Sequence, residues 1–210
     1  MKSLVDYLAY SLPLLDLDQP KIIFLEPHII LSVKNVHPST QLVPFSKDEL
    51  FFNLEGLGLP VNANPKKDTH EYFSIQLNKT DWVIRASEIN SASSQFVWVD
   101  FGISHVCPKI DFSKLNREYE NIRIPGCWNP KTTIGASHDS PNWFFCGGLF
   151  GGHIEKLREF DLLIKKYVKE FLKSGKVTWE VNIWKMVYDS HPHLFDWYYA
   201  DHDCGMINNY

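Results

Sequence analysis

Asp100 follows an apolar run, residues 96–99, that is typical of a buried strand. A carboxylate at the end of such a strand lies at the edge of a sheet, half shielded from water, where it can bind a hard metal ion. The alternative is structural, because a strand-end aspartate often caps the turn that follows, here over Gly102. The Asp-Phe-Gly string also occurs in kinases, but their Gly-rich phosphate loop and catalytic loop are absent from this sequence, so that match is chance.

Glu180 lies beside Trp179, near the start of a helix that is predicted to begin at Thr178. A carboxylate next to a bulky aromatic ring can lose its contacts with water, which tunes it for acid–base or nucleophilic chemistry. The structural alternative is a charge in the first turn that the helix dipole favours. The spacing alone leaves both roles open.

Two further segments follow predicted strands and have unusual compositions. Residues 147–152 contain four glycines, which allow the backbone to approach either a ligand or a packed helix closely. This run is neither a dinucleotide-binding motif nor a phosphate-binding P-loop. Asp201, His202 and Asp203 are potential metal ligands, or else a solvated terminal turn.

Helices and short apolar strands alternate along the chain, which is the pattern of an open α/β sheet. In such sheets ligands bind beyond the carboxyl ends of the strands. The predicted strands are residues 21–25, 40–45, 96–100, 121–124, 143–146 and 195–200. The predicted helices are residues 4–15, 68–86, 111–119 and 154–173, with one more from 178. We therefore predict a single α/β domain, residues 1–210, with a mixed, mainly parallel open sheet and flanking helices.

Composition narrows the function classes. The chain has 210 residues, of which 44% are hydrophobic and 22% are charged, as in ordinary globular proteins. A net charge of −4 and scattered basic residues argue against a nucleic-acid partner. No apolar run approaches the ~20 residues that span a bilayer, and the first residues lack a signal-peptide core. A cytoplasmic protein without a membrane span is predicted.

The cysteines occur at positions 107, 127, 146 and 204, with no close pair and no metal-type spacing. We expect four buried free thiols in a reducing compartment. Disulfide bonds are the alternative, and the spacing does not exclude them.

Several motifs together resemble those of the HtrL/YibB (WlaTC-type) group of predicted glycosyltransferases, which is related to the GT-A-fold enzymes. The matching segments follow the right order over residues 20–205 and are residues 64–69, 76–79, 96–105, 145–152, 179–180 and 198–202. The resemblance implies a GT-A-like, Rossmann-type sheet. GT-A domains usually begin with a strand that contacts the nucleotide base. This chain begins with what is predicted to be the following helix, so that first strand is expected to be missing.

The resemblance also implies a nucleotide-sugar donor such as a UDP-sugar, a glycan or protein acceptor, and a divalent cation, manganese or magnesium. GT-A enzymes hold the cation with an Asp-x-Asp motif, of which Asp100 matches one aspartate while the second is absent. His202 matches a late histidine that often completes the metal site. The implied donor-binding residues are Lys79, Asp100 and Gly102, the implied acceptor-binding residues are Trp143, Gly147, Gly148 and Trp179, and the implied catalytic carboxylate is Glu180.

Physical chemistry supports this assembly. A metal held by Asp100 and His202 would neutralise the charge that grows on a departing nucleoside diphosphate. Glu180 would act as base toward the acceptor hydroxyl or stabilise an oxocarbenium-like centre. Two alternatives stay open. One is a non-catalytic protein that binds a glycan or a partner protein, and the other is a metal hydrolase built from Asp100, His105, Asp201 and His202.

Overall fold

The computed structural model describes residues 4–132 and 137–210. Its helices are α1 (Leu4–Leu15), α2 (Pro27–Ile30), α3 (His70–Leu77), α4 (Lys79–Ile89), α5 (Ile154–Leu172), α6 (Glu180–Ser190) and α7 (Gly205–Asn208). Its strands are β1 (Lys21–Leu25), β2 (Thr40–Pro44), β3 (Gln95–Val99), β4 (Ile122–Gly126), β5 (Leu149–His153) and β6 (Phe195–Tyr199). The predicted α/β class is confirmed.

The described strands form two sheets, so the expectation of one open sheet was wrong. β1 and β2 pair in parallel as a separate two-stranded sheet. The larger sheet has the order β3-β5-β4-β6, in which β5 is antiparallel to β3 and β4 while β4 and β6 are parallel. Three of its four strands therefore point the same way, and the carboxyl ends of β3, β4 and β6 share one edge.

Both faces of the larger sheet are covered, as the alternation along β3 shows. Phe96 and Trp98 belong to the main core, which α4, α5 and α6 close from one side. Val97 and Val99 pack into a second core with α7 and the 3₁₀ helix at Phe112–Asn116. Because side chains of a strand point alternately to opposite faces, this sheet is the middle layer of three.

The Gly-rich segment is not the loop that the sequence suggested, because most of it forms β5. The predicted strand at residues 143–146 is irregular backbone instead. A Cβ on Gly151 would lie 2.8 Å from the carbonyl oxygen of Phe96, and Gly152 has φ +149 against the backbone of Asn121. Glycine is needed at both positions because neighbouring backbone leaves no room for a side chain.

The helix predicted over residues 68–86 is two helices that meet at Asn78. Thr69 caps α3 by accepting a hydrogen bond from the backbone N–H of Tyr72. The amide of Asn78 donates to the carbonyl of Ser74 and accepts from the backbone N–H of Phe51. The break makes Lys79 the first residue of α4, buried against the carboxyl edge of the sheet.

The expectation of four free thiols was wrong. Cys107 and Cys204 form a disulfide, which ties the segment after β3 to the segment after β6. Cys127 and Cys146 remain free. None of the helices in the described part of the chain combines the length and the apolar character that crossing a membrane requires.

Candidate functional site

The side chain of Lys79 is the centre of a buried charged cluster at the carboxyl edge of β3. Its Nζ lies 3.0 Å from Oδ1 of Asp100 and 3.2 Å from Oε1 of Glu180. It also donates to the carbonyl oxygen of Gly147 at 2.8 Å. We call Lys79, Asp100, Glu180 and this carbonyl the Lys79 cluster. Only 1% of Lys79 is exposed, so these acceptors replace its hydration shell.

Asp100 occupies the position that the sequence predicted, one residue beyond β3. Its backbone N–H donates to the carbonyl of Gly148 at 2.9 Å, which continues the ladder of β3 and β5. Its Oδ1 also accepts a hydrogen bond of 2.7 Å from Nε1 of Trp98. The carboxylate thus pairs with Lys79 and Trp98, and at 36% exposure its side chain is the part of the cluster most open to solvent.

Glu180 is the first residue of α6 and is 4% exposed. The positive end of the helix dipole and Lys79 both favour a carboxylate here. A Cβ on Gly147 would overlap Oε1 of Glu180, so the close packing of this carboxylate requires glycine at position 147. The ion pair and the glycine therefore belong to one packing arrangement.

The electrostatics of the cluster favour a charged lysine. Burial alone lowers the pKa of Lys79, but the charges of Asp100 and Glu180 more than offset it, so that the pKa is raised above the ordinary value. Tyr72 lies in the same field. Burial, followed by the charges of Glu180 and Asp100, raises the pKa of Tyr72 well above its usual range. Tyr72 is therefore a neutral phenol beside the cluster.

Gly102 and Gly148, to which the resemblance assigned ligand contacts, have different surroundings near Asp100. Gly102 is buried, and a Cβ there would lie 3.1 Å from the ring of Tyr7 on α1. A Cβ on Gly148 would lie 3.2 Å from the tip of Ile103 and 3.9 Å from Oδ2 of Asp100. α1 thus lies over Gly102, whereas Gly148 lines the same side of the sheet edge as the Asp100 carboxylate.

The two tryptophans assigned to the acceptor lie in different environments. Trp179 is 4% exposed and packs edge-on against Phe73, so its contact with an acceptor stays a prediction that the burial of its ring does not favour. Trp143 is half-buried, and its ring meets the ring of His202 edge-on at 4.3 Å. Trp143 therefore lies next to an exposed side chain, and contact with an acceptor requires such a position.

His202 is an exposed residue beside two free thiols. Its Nδ1 is 3.8 Å from Sγ of Cys127, and Sγ of Cys127 is 3.7 Å from Sγ of Cys146. Burial lowers the pKa of His202, partly opposed by the charge of Asp201. Burial raises the pKa of both thiols. At neutral pH the three side chains are therefore uncharged.

The metal site expected from Asp100 and His202 stays a prediction, since the two side chains do not belong to one group of ligand atoms in the described residues. Oδ2 of Asp100 has a long contact of 3.3 Å to Lys79, so this oxygen can serve as a ligand to a divalent cation. The ring of His202 faces Cys127 and Trp143 instead.

The hydrolase alternative loses its geometry. Nδ1 of His105 lies 2.7 Å from the carbonyl of Gly102, and its ring packs 5.9 Å from that of Tyr10. Among the residues that the structure describes, one group of at least three potential ligands has its atoms within 4.8 Å of one another. That group consists of Cys127, Cys146 and His202 and contains neither Asp100 nor His105.

Two open cavities of about 320 Å³ each lie away from the Lys79 cluster. One is lined by the end of α1 and Asn35, and the other by β1, β2 and α4 residues, including Arg85.

No protein-family model matches this chain, and no curated protein matches it.

Sequence reasoning missed four residues at the carboxyl edge of the larger sheet. The donor Trp98 was counted only as an apolar strand residue, and Tyr72 only as part of a helix stripe. Cys127 and Cys146 were set aside because 19 residues separate them. A signal for the first was available, since Trp98 and Asp100 lie two apart in a strand and so point to the same face.

Proposed function

We propose that the protein transfers a sugar from a nucleotide-sugar donor to an acceptor at the carboxyl edge of β3. One observation supports this function best. Lys79, Asp100 and Glu180, which are far apart in sequence, meet around the carbonyl of Gly147 at this edge. Ligands of open α/β sheets bind at such edges. The resemblance to the HtrL/YibB group names the same residues.

Asp100 is the part of the cluster that a donor would reach. Two carboxylates share the single ammonium of Lys79, so the cluster favours a cation on its open side. A manganese or magnesium ion held by Asp100 would offset the charge of the donor diphosphate. Lys79 and Trp98 fix the carboxylate in one orientation, and Gly148 keeps the space beside its Oδ2 free of a side chain.

Glu180 has a different role in this proposal from the one that the resemblance implied. Its carboxylate is buried and paired with Lys79, so it does not face an acceptor hydroxyl. We assign it as a positioning residue that holds Lys79 and, through Lys79, Asp100. The acceptor approaches over Gly148 and Trp143, which are half-buried.

Calorimetric titration with a panel of nucleotide sugars, with manganese present, tests the proposal. We expect binding of at least one nucleoside diphosphate and a loss of at least ~10-fold in affinity in Asp100→Asn, as for other removed ligands of a metal site. Asp18→Asn, an exposed aspartate, is the matched control. If no nucleoside diphosphate binds, or if Asp100→Asn binds as tightly as wild type, the proposal is wrong.

Glu180→Gln separates positioning from direct catalysis. A positioning residue predicts that the variant keeps the affinity for the nucleoside diphosphate within a few-fold while kcat falls, because the orientation of Asp100 loosens. Rescue by Glu180→Asp would be partial, since the shorter side chain keeps the negative charge but lies farther from Lys79. A loss of affinity as large as that of Asp100→Asn would contradict this role.

The second candidate is a non-catalytic protein that binds a glycan or a partner protein. It is favoured by one observation, namely that Lys79 and Glu180 already satisfy each other and are buried. This alternative predicts ligand binding that survives removal of the metal and of Glu180. Release of free nucleoside diphosphate during incubation with donor and acceptor would exclude it.

The disulfide bears on the expected cytoplasmic location. Structural disulfides persist in oxidising compartments and are rare in the cytosol. Because Cys107 and Cys204 are bonded, we propose that the protein works in an oxidising compartment rather than in the cytoplasm. Mass spectrometry of the protein isolated from its native host under alkylating conditions tests this, since a reduced Cys107 there would contradict it.

A further inference from the structure

Cys127, Cys146 and His202 form a compact set of potential ligands that the proposed transfer reaction does not use. We call them the Cys127 cluster. Cys127 follows β4 directly, Cys146 precedes β5, and His202 follows β6. β4 and β6 are parallel neighbours, with Gly126 opposite Tyr199, so their carboxyl ends bring Cys127 and His202 together. The Cys146 backbone N–H donates to the carbonyl of Pro125 at 2.7 Å, which places its thiol beside that of Cys127.

The distances in the Cys127 cluster match a tetrahedral site. Two thiolates that bind one zinc ion, each about 2.3 Å from the metal, lie about 3.8 Å apart, and a thiolate and an imidazole nitrogen lie about 3.6 Å apart. The observed separations are 3.7 Å between the two sulfurs and 3.8 Å from Sγ of Cys127 to Nδ1 of His202. All three ligand atoms lie within 4.8 Å of one another, and His202 is exposed and can close the remaining gap.

We propose that Cys127, Cys146 and His202 bind one zinc-like divalent ion at this edge of the sheet. Two thiolates and one imidazole suit zinc, whereas magnesium and manganese prefer oxygen ligands. The two thiol protons leave to water when the sulfurs become thiolates, so the exchange is balanced. This site is separate from the cation proposed at Asp100 and does not depend on the transfer reaction.

Three protein ligands leave the fourth position of a tetrahedral ion open. Oδ1 of Asp201 lies 3.5 Å from Sγ of Cys127 and accepts the backbone N–H of His202 at 2.8 Å. A carboxylate in that place fixes the His202 loop and lies next to the open position. Cys146 is buried while Cys127 is half-buried, so the ion would be held at the surface rather than enclosed.

The alternative occupant of this cluster is a second disulfide. Sulfurs 3.7 Å apart are beyond the bonding distance of about 2.05 Å, but a small movement would join them. The two possibilities make opposite predictions for the thiols. A metal site keeps Cys127 and Cys146 reduced and protects them from alkylation, whereas a disulfide removes both thiols permanently.

Titration of the purified full-length chain with cobalt and zinc tests the proposal. We expect one equivalent of cobalt to bind with thiolate-to-metal charge-transfer absorption, and zinc to displace it. Cys127→Ser, Cys146→Ser and His202→Ala should each weaken binding by at least ~10-fold, the usual cost of losing a ligand. His193→Ala, an exposed histidine outside the cluster, is the matched control and should bind as wild type does.

Three outcomes would overturn the proposal. They are cobalt binding without charge-transfer absorption, unchanged binding in the cysteine variants, and a Cys127–Cys146 disulfide in the protein as isolated. Because His202 is exposed, His202→Ala should fold even if a cysteine variant does not. The circular dichroism spectrum of His202→Ala checks that it is folded. Asp100→Asn should bind cobalt normally at the Cys127 cluster, so failure of the transfer reaction and failure of this site are distinguishable.

Discussion

The Lys79 cluster and the Cys127 cluster are adjacent, since the carbonyl of Gly147 belongs to the first and Cys146 to the second, yet they are built in opposite ways. The Lys79 cluster is buried and charged, and its lysine is satisfied by acceptors that the protein supplies. The Cys127 cluster is half open and uncharged, and its three ligand atoms lie within 4.8 Å of one another. The first arrangement fixes a geometry, and the second is suited to receiving an ion.

The comparison first predicts that breaking the Lys79 cluster unfolds the protein more readily than any change in the Cys127 cluster. Lys79→Met leaves two carboxylates without their shared partner, at a cost of about 3–5 kcal/mol in the free energy of unfolding. Urea denaturation measures this cost. Lys173→Met, which removes an exposed ion pair to Glu170, is the matched control and should change stability by under about 1 kcal/mol. Equal costs would show that the cluster is not tightly coupled.

Zinc should stabilise the protein through the Cys127 cluster alone. At a zinc concentration 100 times Kd, binding to the native state adds about 2.7 kcal/mol to the free energy of unfolding, provided that the unfolded chain does not bind zinc. Thermal unfolding with and without a chelator measures the effect. In His202→Ala the shift in Tm should disappear, whereas Lys79→Met should keep it despite its lower starting stability. A shift that persists in His202→Ala would contradict the assignment.

Gly147→Ala should cost about 1–3 kcal/mol, because the new methyl group overlaps Oε1 of Glu180 inside a packed region. Gly148→Ala is the adjacent control. The tightest contact of its methyl group would be with the flexible tip of Ile103 at 3.2 Å, so a smaller cost is expected. The double variant Gly147→Ala with Glu180→Ala should cost less than the sum of the single variants. Additive costs would mean that the glycine and the carboxylate are independent.

The last prediction is that the contribution of Lys79 to the free energy of unfolding does not change between pH 7 and pH 9. Because the pKa of Lys79 is raised above 10.5 in the folded protein, its contribution to stability is fully present below that pH and is lost only as the pH rises through the higher folded value. The stability difference between wild type and Lys79→Met should therefore be constant from pH 7 to pH 9. A difference that shrinks over this range would show that burial, rather than the two carboxylates, dominates.

The sequence predicted the Lys79 cluster better than the Cys127 cluster for a physical reason. A buried strand has a local pattern, so the end of β3 and with it Asp100 could be located. The role of Lys79 came only from the resemblance, because its contacts with Asp100 and Glu180 join segments that are far apart in the sequence. Cys127 and Cys146 come from segments whose proximity is set by strand pairing, which spacing in the sequence does not encode.

The Gly-rich strand β5 is the element that the sequence pattern predicted least well. Glycines usually weaken strands, so residues 147–152 suggested a loop. In the fold β5 runs between β3 and β4, where neighbouring backbone and the hydroxyl of Tyr210 leave no space for side chains at Gly151 and Gly152. The glycines of this segment therefore reflect crowding by neighbouring atoms and do not indicate a loop.

The Cys107–Cys204 disulfide divides the molecule topologically. It closes a covalent ring that contains β4, β5, α5, α6 and β6, together with every member of the Cys127 cluster and Glu180. Lys79 and Asp100 lie on the open segment of the chain outside that ring. A cut in the turn between α4 and β3 would therefore break the covalent link between Lys79 and Glu180 while leaving the thiols and His202 joined within the ring. Limited proteolysis should therefore disrupt the Lys79 cluster before the Cys127 cluster.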